Sequence, residues 1–185
     1  ISACKFGADA VGFVFAESPR RISVKKAAAI CSKLPGSVSR VGVFVDQSAE
    51  VINGAVKKCR LDYVQLHGDE SPAFCKKIKA PVIKAFRVKR GLLVPAVKKY
   101  KVAAILLDSF SPVFRGGTGK TFDWKIAVRI KKSGLPLILS GGLNPRNLAS
   151  AIKKVRPSAV DLSSGVEVRP GIKSAVKMKK AIAIA

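Results

Sequence analysis

The sequence predicts an α/β fold in which parallel strands alternate with helices and close into a (β/α)8, or TIM-type, barrel. Seven short apolar runs recur at intervals of about 20–30 residues, and each is followed by an amphipathic stretch. Regular alternation of this kind implies a parallel sheet with right-handed crossovers, and seven such units in a row favour a closed barrel over an open sheet. Hydrophobic residues make up 48% of the chain and aromatic residues only 6%, so the core is aliphatic, as buried parallel strands require.

The elements follow one another without a linker or a low-complexity segment. The predicted strands are Ala8–Phe15, Arg40–Val45, Asp62–His67, Pro81–Phe86, Ala103–Asp108, Leu135–Ser140 and Ala159–Ser164. The predicted helices are Val24–Leu34, Ser48–Lys58, Ser71–Ile78, Leu92–Tyr100, Asp123–Lys132, Pro145–Val155 and a last one from about Ile172 to the C-terminus.

The opening residues resemble the tail of a helix. Residues 1–6 precede Gly7, a residue type that commonly caps a helix C-terminus. A closed barrel of this type needs eight strands, and seven are visible. We therefore expect that the first strand and most of the first helix are missing, and that residues 1–185 form a single, incomplete barrel domain.

The formal net charge of +24 invites a nucleic-acid interpretation. Lys-Lys doublets begin at residues 25, 57, 76, 98, 131, 153 and 179, one in nearly every predicted helix. Charge spread in this way suits a solvated shell, and aromatic residues do not alternate with the basic ones to form stacking platforms. We expect no specific nucleic-acid partner; a basic nucleic-acid-binding protein remains an alternative.

Composition also bears on location and metal binding. No apolar run approaches the roughly 20 residues that span a bilayer, and no signal-peptide pattern opens the chain. The four cysteines are scattered without a CxxC pair, and there is one histidine. We expect a cytoplasmic protein with no metal site and no membrane partner.

Two glycine-bearing turns stand out because each follows a short apolar run. Ser140–Gly142 follows one predicted strand, and Ser163–Gly165 follows the next. Glycine tolerates positive φ and lets an anion approach the backbone, so the pair of turns predicts a cradle for one phosphate. The alternative is that these glycines merely permit turns. The candidate phosphate-binding residues are Gly141, Gly142, Ser163, Ser164 and Gly165.

Acidic residues at strand ends are candidates for proton transfer. Asp108 closes the apolar run Ala103–Asp108, which would deliver its carboxylate to the mouth of the barrel; a role in capping the next loop is the alternative. Asp161 is a second carboxylate near a strand end. The glycine-rich stretch 109–120 could be a mobile lid or a connection without a role.

Two basic or titratable groups follow other strands. Arg20 or Arg21 could bind a carboxylate or phosphate, or could be a surface cation. His67 follows its strand at the same mouth and could orient a neighbour or act directly.

At these residues the chain resembles the phosphoribosylanthranilate isomerase family of tryptophan biosynthesis. The matching segments are Gly7–Phe13, Ser18–Arg20, Val41–Phe44, Val64–Gly68, Leu106–Ser109, Gly117–Trp124, Ser140–Pro145 and Val160–Glu167, which extend over essentially the whole chain.

The resemblance implies an Amadori rearrangement of N-(5-phosphoribosyl)anthranilate, without cofactor or metal. It implies that Asp108 is the general acid, that Arg20 lies near the anthranilate carboxylate, and that the glycine-serine turns hold the phosphate of this phosphosugar substrate. We also expect His67 and Asp161 to help bind the substrate, and the protein to be a monomer or homodimer. The family's general-base cysteine, in the motif Lys-Ile-Cys-Gly-Ile-Thr, has no counterpart here, so we expect impaired turnover by the chain as written. A non-catalytic phosphate-ligand-binding remnant and another phosphosugar enzyme are the alternatives.

Overall fold

The structure is a computed structural model that describes residues 1–88, 94–109 and 121–185. Apart from Ser109, the stretch predicted as a possible lid lies outside the described residues. The chain divides into two compact units, Ile1–Lys84 and Ala85–Ala185.

The first unit alternates strands with helices. Its elements are α1 (Ser2–Lys5), β1 (Ala10–Val14), α2 (Val24–Cys31), β2 (Ser39–Phe44), α3 (Ala49–Cys59), β3 (Tyr63–Leu66), α4 (Pro72–Cys75) and the start of β4 (Val82–Val88). Strands β1, β2, β3 and β4 are parallel neighbours in that order. Phe15 and Phe44 stack in the core with ring centroids 5.0 Å apart, and Phe44 is fully buried.

Helix α1 ends as the sequence predicts. Gly7 has a φ of 98°, and its N–H donates to the carbonyl of Cys4 at 3.0 Å. The N–H of Ala8 reaches back to the carbonyl of Ala3 at 3.1 Å. This pair of hydrogen bonds is the Schellman arrangement, which only a residue that tolerates positive φ allows.

The second unit continues the alternation. Its elements are the end of β4, α5 (Val94–Lys98), β5 (Ala104–Ser109), α6 (Trp124–Lys131), β6 (Leu137–Leu139), α7 (Leu148–Val155), β7 (Ala159–Val160), a short 3-10 helix (Ser164–Val166), β8 (Glu167–Arg169), β9 (Ile172–Lys173) and α8 (Ala175–Ile182). Strands β5, β6 and β7 are parallel neighbours. Leu137 and Leu139 of β6 are fully buried, in a core to which helices α5, α6, α7 and α8 all contribute.

The seven predicted strands and the parallel β-α alternation are confirmed, whereas the closed barrel with an absent first strand is not established by these elements. The end of the chain differs from the prediction. Residues from Ile172 were expected to be helical, but β8 and β9 form an antiparallel hairpin, and α8 begins only at Ala175. Gly171, at a φ of 83°, permits the tight turn, and the Ser174 side chain then caps α8 by accepting from the N–H of Lys177.

Candidate active site

The carboxylate of Asp108 lies buried at the C-terminal end of β5. The residue is only 5% exposed, and the N–H of Ser109 donates to its Oδ1 at 2.7 Å. The backbone of Gly141 packs directly against it: a Cβ on Gly141 would come within 3.0 Å of Oδ1 and 2.3 Å of the Ser109 nitrogen. The predicted acid is therefore held against the first glycine turn.

That first turn leaves β6 through two residues with positive φ. Gly141 has a φ of 84° and Gly142 a φ of 68°. The side chains of Asn144 and Asn147 donate to the carbonyl of Gly142 at 3.2 and 3.0 Å. Because the carbonyl is held from two sides, the orientation of the turn is fixed.

A hydrogen bond between side chains joins the ends of β6 and β7. The Ser140 hydroxyl donates to Oδ2 of Asp161 at 3.0 Å. The backbone N–H of Asp161 donates to the carbonyl of Leu139 at 2.9 Å, which continues the strand pairing by one residue. Asp161 is thus placed at the strand end, as predicted, where it orients the serine that opens the first turn.

The second turn packs against the residues that directly follow the first. A Cβ on Gly165 would lie 1.8 Å from the carbonyl oxygen of Leu143 and 2.9 Å from the Cβ of Asn144. Only glycine fits at this position, because the Cβ of any other residue cannot come so close to the carbonyl oxygen of Leu143. The two predicted turns are therefore brought together.

The pair of turns offers backbone donors. Within the described part of the chain, the N–H groups of Gly141, Gly142, Ser164 and Gly165 donate none of the backbone hydrogen bonds of the turns and loops. Successive N–H groups of this kind form a concave site for an oxyanion, and a phosphate is the group they suit best.

In the first unit, the turn after β1 carries the two arginines. The Ser18 hydroxyl accepts from the N–H of Arg20 at 3.1 Å, and Arg21 pairs with Glu17 at 2.7 Å. Both arginines therefore lie on the turn after β1, where the sequence predicts them, and Arg20 stays the candidate that the resemblance implies.

His67 follows β3 and is half-buried. Its Nδ1 lies 2.8 Å from Nε2 of Gln65, and its backbone N–H donates to the carbonyl of Phe44 at 2.8 Å. Because an amide nitrogen can only donate, Nε2 of Gln65 is the donor and Nδ1 of His67 is the acceptor. The ring is therefore oriented by Gln65, a residue that sequence reasoning missed.

A buried ion pair fixes the turn after β3. Lys84 of β4 is 2% exposed, and its Nζ donates to Oε2 of Glu70 at 2.9 Å and to the carbonyls of Leu66 and Gly68 at 3.2 and 2.8 Å. The Glu70 carboxylate also accepts from the N–H groups of Gly68 and Asp46.

The four cysteines lie in helices and not on the turns that follow the strands. Cys31, Cys59 and Cys75 are in helices and buried, and burial raises the pKa of each thiol. Cys4 lies in α1, before β1 begins. All four lie within the described residues, and none follows a strand.

Sequence reasoning also missed Ser140 as a side-chain partner and Lys173, which contacts the second turn through Ser163. Lys173 follows a Pro-Gly turn, a signal for a hairpin that could have placed it. In the described ranges, no three His, Cys, Asp or Glu side chains are grouped to hold a metal ion. No helix in those ranges has the length and hydropathy to cross a membrane.

Comparisons with known proteins extend over nearly the whole chain. A family model described as N-(5'phosphoribosyl)anthranilate (PRA) isomerase matches residues 1–183. The N-(5'-phosphoribosyl)anthranilate isomerase of Trichlorobacter lovleyi is 49% identical over 183 residues, which is 98% of this chain and 89% of that protein.

Solved structures agree with this match. Phosphoribosyl anthranilate isomerase from Thermus thermophilus has a TM-score of 0.91 at 39% identity, covering 99% of this chain and 90% of that one. A phosphoribosyl anthranilate isomerase in complex with reduced 1-(o-carboxyphenylamino)-1-deoxyribulose 5-phosphate has a TM-score of 0.85 at 40% identity, covering 100% of this chain and 90% of that one.

Proposed function

The chain belongs to the N-(5'-phosphoribosyl)anthranilate isomerase family, enzymes of tryptophan biosynthesis, and on this premise we propose how its own residues act. The reaction is the rearrangement of N-(5-phosphoribosyl)anthranilate to 1-(2-carboxyphenylamino)-1-deoxyribulose 5-phosphate. The observation that supports the assignment most is the buried Asp108 carboxylate packed against Gly141 of the first glycine turn, with the second turn packed against Leu143 just beyond the first.

Asp108 acts as the general acid. It delivers a proton to the ribose ring oxygen, the bond from that oxygen to C1 breaks, and the anthranilate nitrogen lone pair forms the C1–N double bond. Removal of the C2 proton then gives an enolamine, which takes up a proton at C1 while the hydroxyl on C2 loses one, so that C2 becomes the carbonyl of the ketose. The buried position of Asp108, 5% exposed, suits proton transfer to a substrate atom from which water is excluded.

The two turns hold the phosphate. The N–H groups of Gly141, Gly142, Ser164 and Gly165 surround its oxygens, and the packing of Gly165 on Leu143 fixes the distance between the turns. Asp161 supports this cradle through Ser140, rather than meeting the phosphate itself, because a carboxylate would repel the anion.

Two residues of the first unit take the roles expected of them from the sequence. Arg20 is assigned to the anthranilate carboxylate, which a guanidinium binds by charge-assisted hydrogen bonds. His67, oriented by Gln65, contributes a polar contact to the substrate.

The contacts described above do not assign the general base, which is the group that removes the C2 proton. The family's cysteine motif has no counterpart in this sequence, and the raised thiol pKa of Cys31, Cys59 and Cys75 keeps those residues protonated at neutral pH. Impaired turnover by these 185 residues stays a prediction. Turnover at a rate typical of the family would contradict it and would require another base, which a His67→Gln variant would identify or exclude.

The finer expectations also stay predictions: an eight-stranded barrel, a single domain, and a monomer or homodimer. A cytoplasmic location is supported by the four unpaired thiols, which suit a reducing compartment.

The proposal is tested at Asp108. The test is made in a chain extended by a first strand that carries the family's Lys-Ile-Cys-Gly-Ile-Thr motif, so that the general base is present. In that chain we expect Asp108→Asn to reduce isomerase turnover by about 10²–10⁴-fold, because an amide cannot deliver the proton. The reduced product analogue should bind the variant as tightly as it binds the chain with Asp108. Unchanged turnover would refute the role of Asp108, whereas tight analogue binding without any turnover by the extended chain with Asp108 would favour the binding-remnant alternative.

A further inference from the structure

The hairpin that follows the second glycine turn carries a lysine that reaches back to that turn. Nζ of Lys173 lies 2.9 Å from the carbonyl oxygen of Ser163 and 3.1 Å from Oε1 of Glu167. The Glu167 side chain is only 4% exposed, and Oε1 also accepts from the N–H of Gly171 at 3.3 Å. Lys177 of α8 donates to the Glu167 carbonyl at 2.8 Å.

The hydrogen bond from Lys173 to the Ser163 carbonyl affects the Ser164 N–H, which is one of the donors of the phosphate cradle. In a planar trans peptide, the carbonyl oxygen and the following N–H point in opposite directions. The Ser163 carbonyl and the Ser164 N–H belong to one such peptide unit. An ammonium that holds the oxygen on one side therefore fixes the direction of the N–H on the other, and it also polarises that N–H into a stronger donor.

Glu167 explains why Lys173 stays in place. A lysine side chain loses considerable rotamer entropy when it is held in one geometry. The buried carboxylate of Glu167 offsets that loss through its ion pair with Lys173, in which Nζ and Oε1 lie 3.1 Å apart.

We propose that Lys173 and Glu167 are positioning residues for the phosphate cradle: Lys173 aims the Ser164 N–H at the phosphate, and Glu167 holds Lys173. The inference rests on the proposed function, because it assumes that this cradle receives the phosphate of the substrate. Neither side chain touches the substrate.

The experiment compares three variants by calorimetry. Lys173→Met removes the ammonium, Lys173→Arg retains a cationic donor, and Lys180→Met is a matched control that removes one positive charge from α8. The probes are inorganic phosphate, the reduced product analogue and the same analogue without its phosphate. Thermal unfolding of each variant establishes that it is folded at the titration temperature.

We expect Lys173→Met to weaken binding of the phosphorylated analogue and of inorganic phosphate by roughly tenfold or more, since it misdirects a charge-binding donor. The dephosphorylated analogue should bind Lys173→Met and wild type equally. Lys173→Arg should recover most of the affinity, and Lys180→Met should change it less than twofold.

Three results would overturn the inference: equal loss for the phosphorylated and dephosphorylated analogues, equal loss in Lys180→Met, or no loss in Lys173→Met. Failure of the proposed function would look different, because the wild type would then bind inorganic phosphate at the cradle but not the reduced product analogue.

Discussion

At the scale of single residues, Gly165 is the position where the two turns of the cradle meet. A methyl group there would lie 1.8 Å from the Leu143 carbonyl oxygen, so Gly165→Ala must push the turns apart. We expect a loss of about 1–3 kcal/mol in the free energy of unfolding, measured by chemical denaturation, and weaker phosphate binding.

Gly54 is the matched control for that substitution. It lies in the interior of α3, where a methyl group on its Cα would meet nothing within 4 Å. Gly54→Ala should therefore stabilise the protein by about 0.5–1 kcal/mol and leave phosphate binding unchanged. If both alanine variants bound phosphate equally well, the cradle would not be where we place it.

The buried thiols make a second prediction at this scale. Folding raises the pKa of Cys31, Cys59 and Cys75 above 9.0, so the stability associated with their neutral form is complete below that pH and declines as pH rises above it. We expect native protein to react with a thiol reagent first at Cys4, which is partly exposed, and at the other three only on unfolding. Mass spectrometry of the labelled peptides checks this; rapid native labelling at Cys59 would contradict it.

The residues that could be read from sequence share one property. Asp108, Gly141 and Gly165 each follow an apolar run, and parallel strands bring such positions to the same edge of a sheet. Gln65, Ser140 and Lys173 could not be assigned, because their roles depend on hydrogen bonds across 2 to 21 residues that only the folded backbone specifies.

At the scale of the elements, four helix starts were predicted to within one residue. Before these helices, Ser23, Ser48, Ser71 and Asp123 each accept a hydrogen bond from a backbone N–H of the helix that follows. The hairpin formed by β8 and β9 was missed because its strands have three and two residues, too few for an alternating pattern to emerge.

Strand β4 departs from the pattern expected of a buried strand, because its apolar run contains a buried lysine. Lys84 is 2% exposed and is satisfied by Glu70 and by two carbonyls of the turn after β3. We expect Lys84→Met to cost about 3–5 kcal/mol in the free energy of unfolding, because Glu70 would remain buried without its cation. The double variant Lys84→Met, Glu70→Met should recover part of that loss.

The exposed pair between Arg21 and Glu17 is the control for that prediction. The two side chains are 58% and 90% exposed, so Arg21→Met should change stability by less than about 1 kcal/mol. If Lys84→Met were as mild as Arg21→Met, the buried pair would not hold the turn after β3.

At the scale of the whole molecule, the large positive charge of the chain does not indicate its function. The net charge of +24 comes from 35 basic residues against 11 acidic ones, and the lysine doublets recur in nearly every predicted helix. Such a charge attracts polyanions without specificity and more weakly as salt rises. The family assignment rests instead on the match of residues 1–183 to the family model and on relatives of similar length.

The central claim is that the two glycine turns of the second unit bind the substrate phosphate beside Asp108. The most direct test is a crystal structure of the protein with the reduced product analogue. We predict that the phosphate lies within hydrogen-bond distance of the N–H groups of Gly141, Gly142, Ser164 and Gly165, with the sugar chain against Asp108. A phosphate held elsewhere, for example by exposed lysines of α6 or α7, would contradict the account.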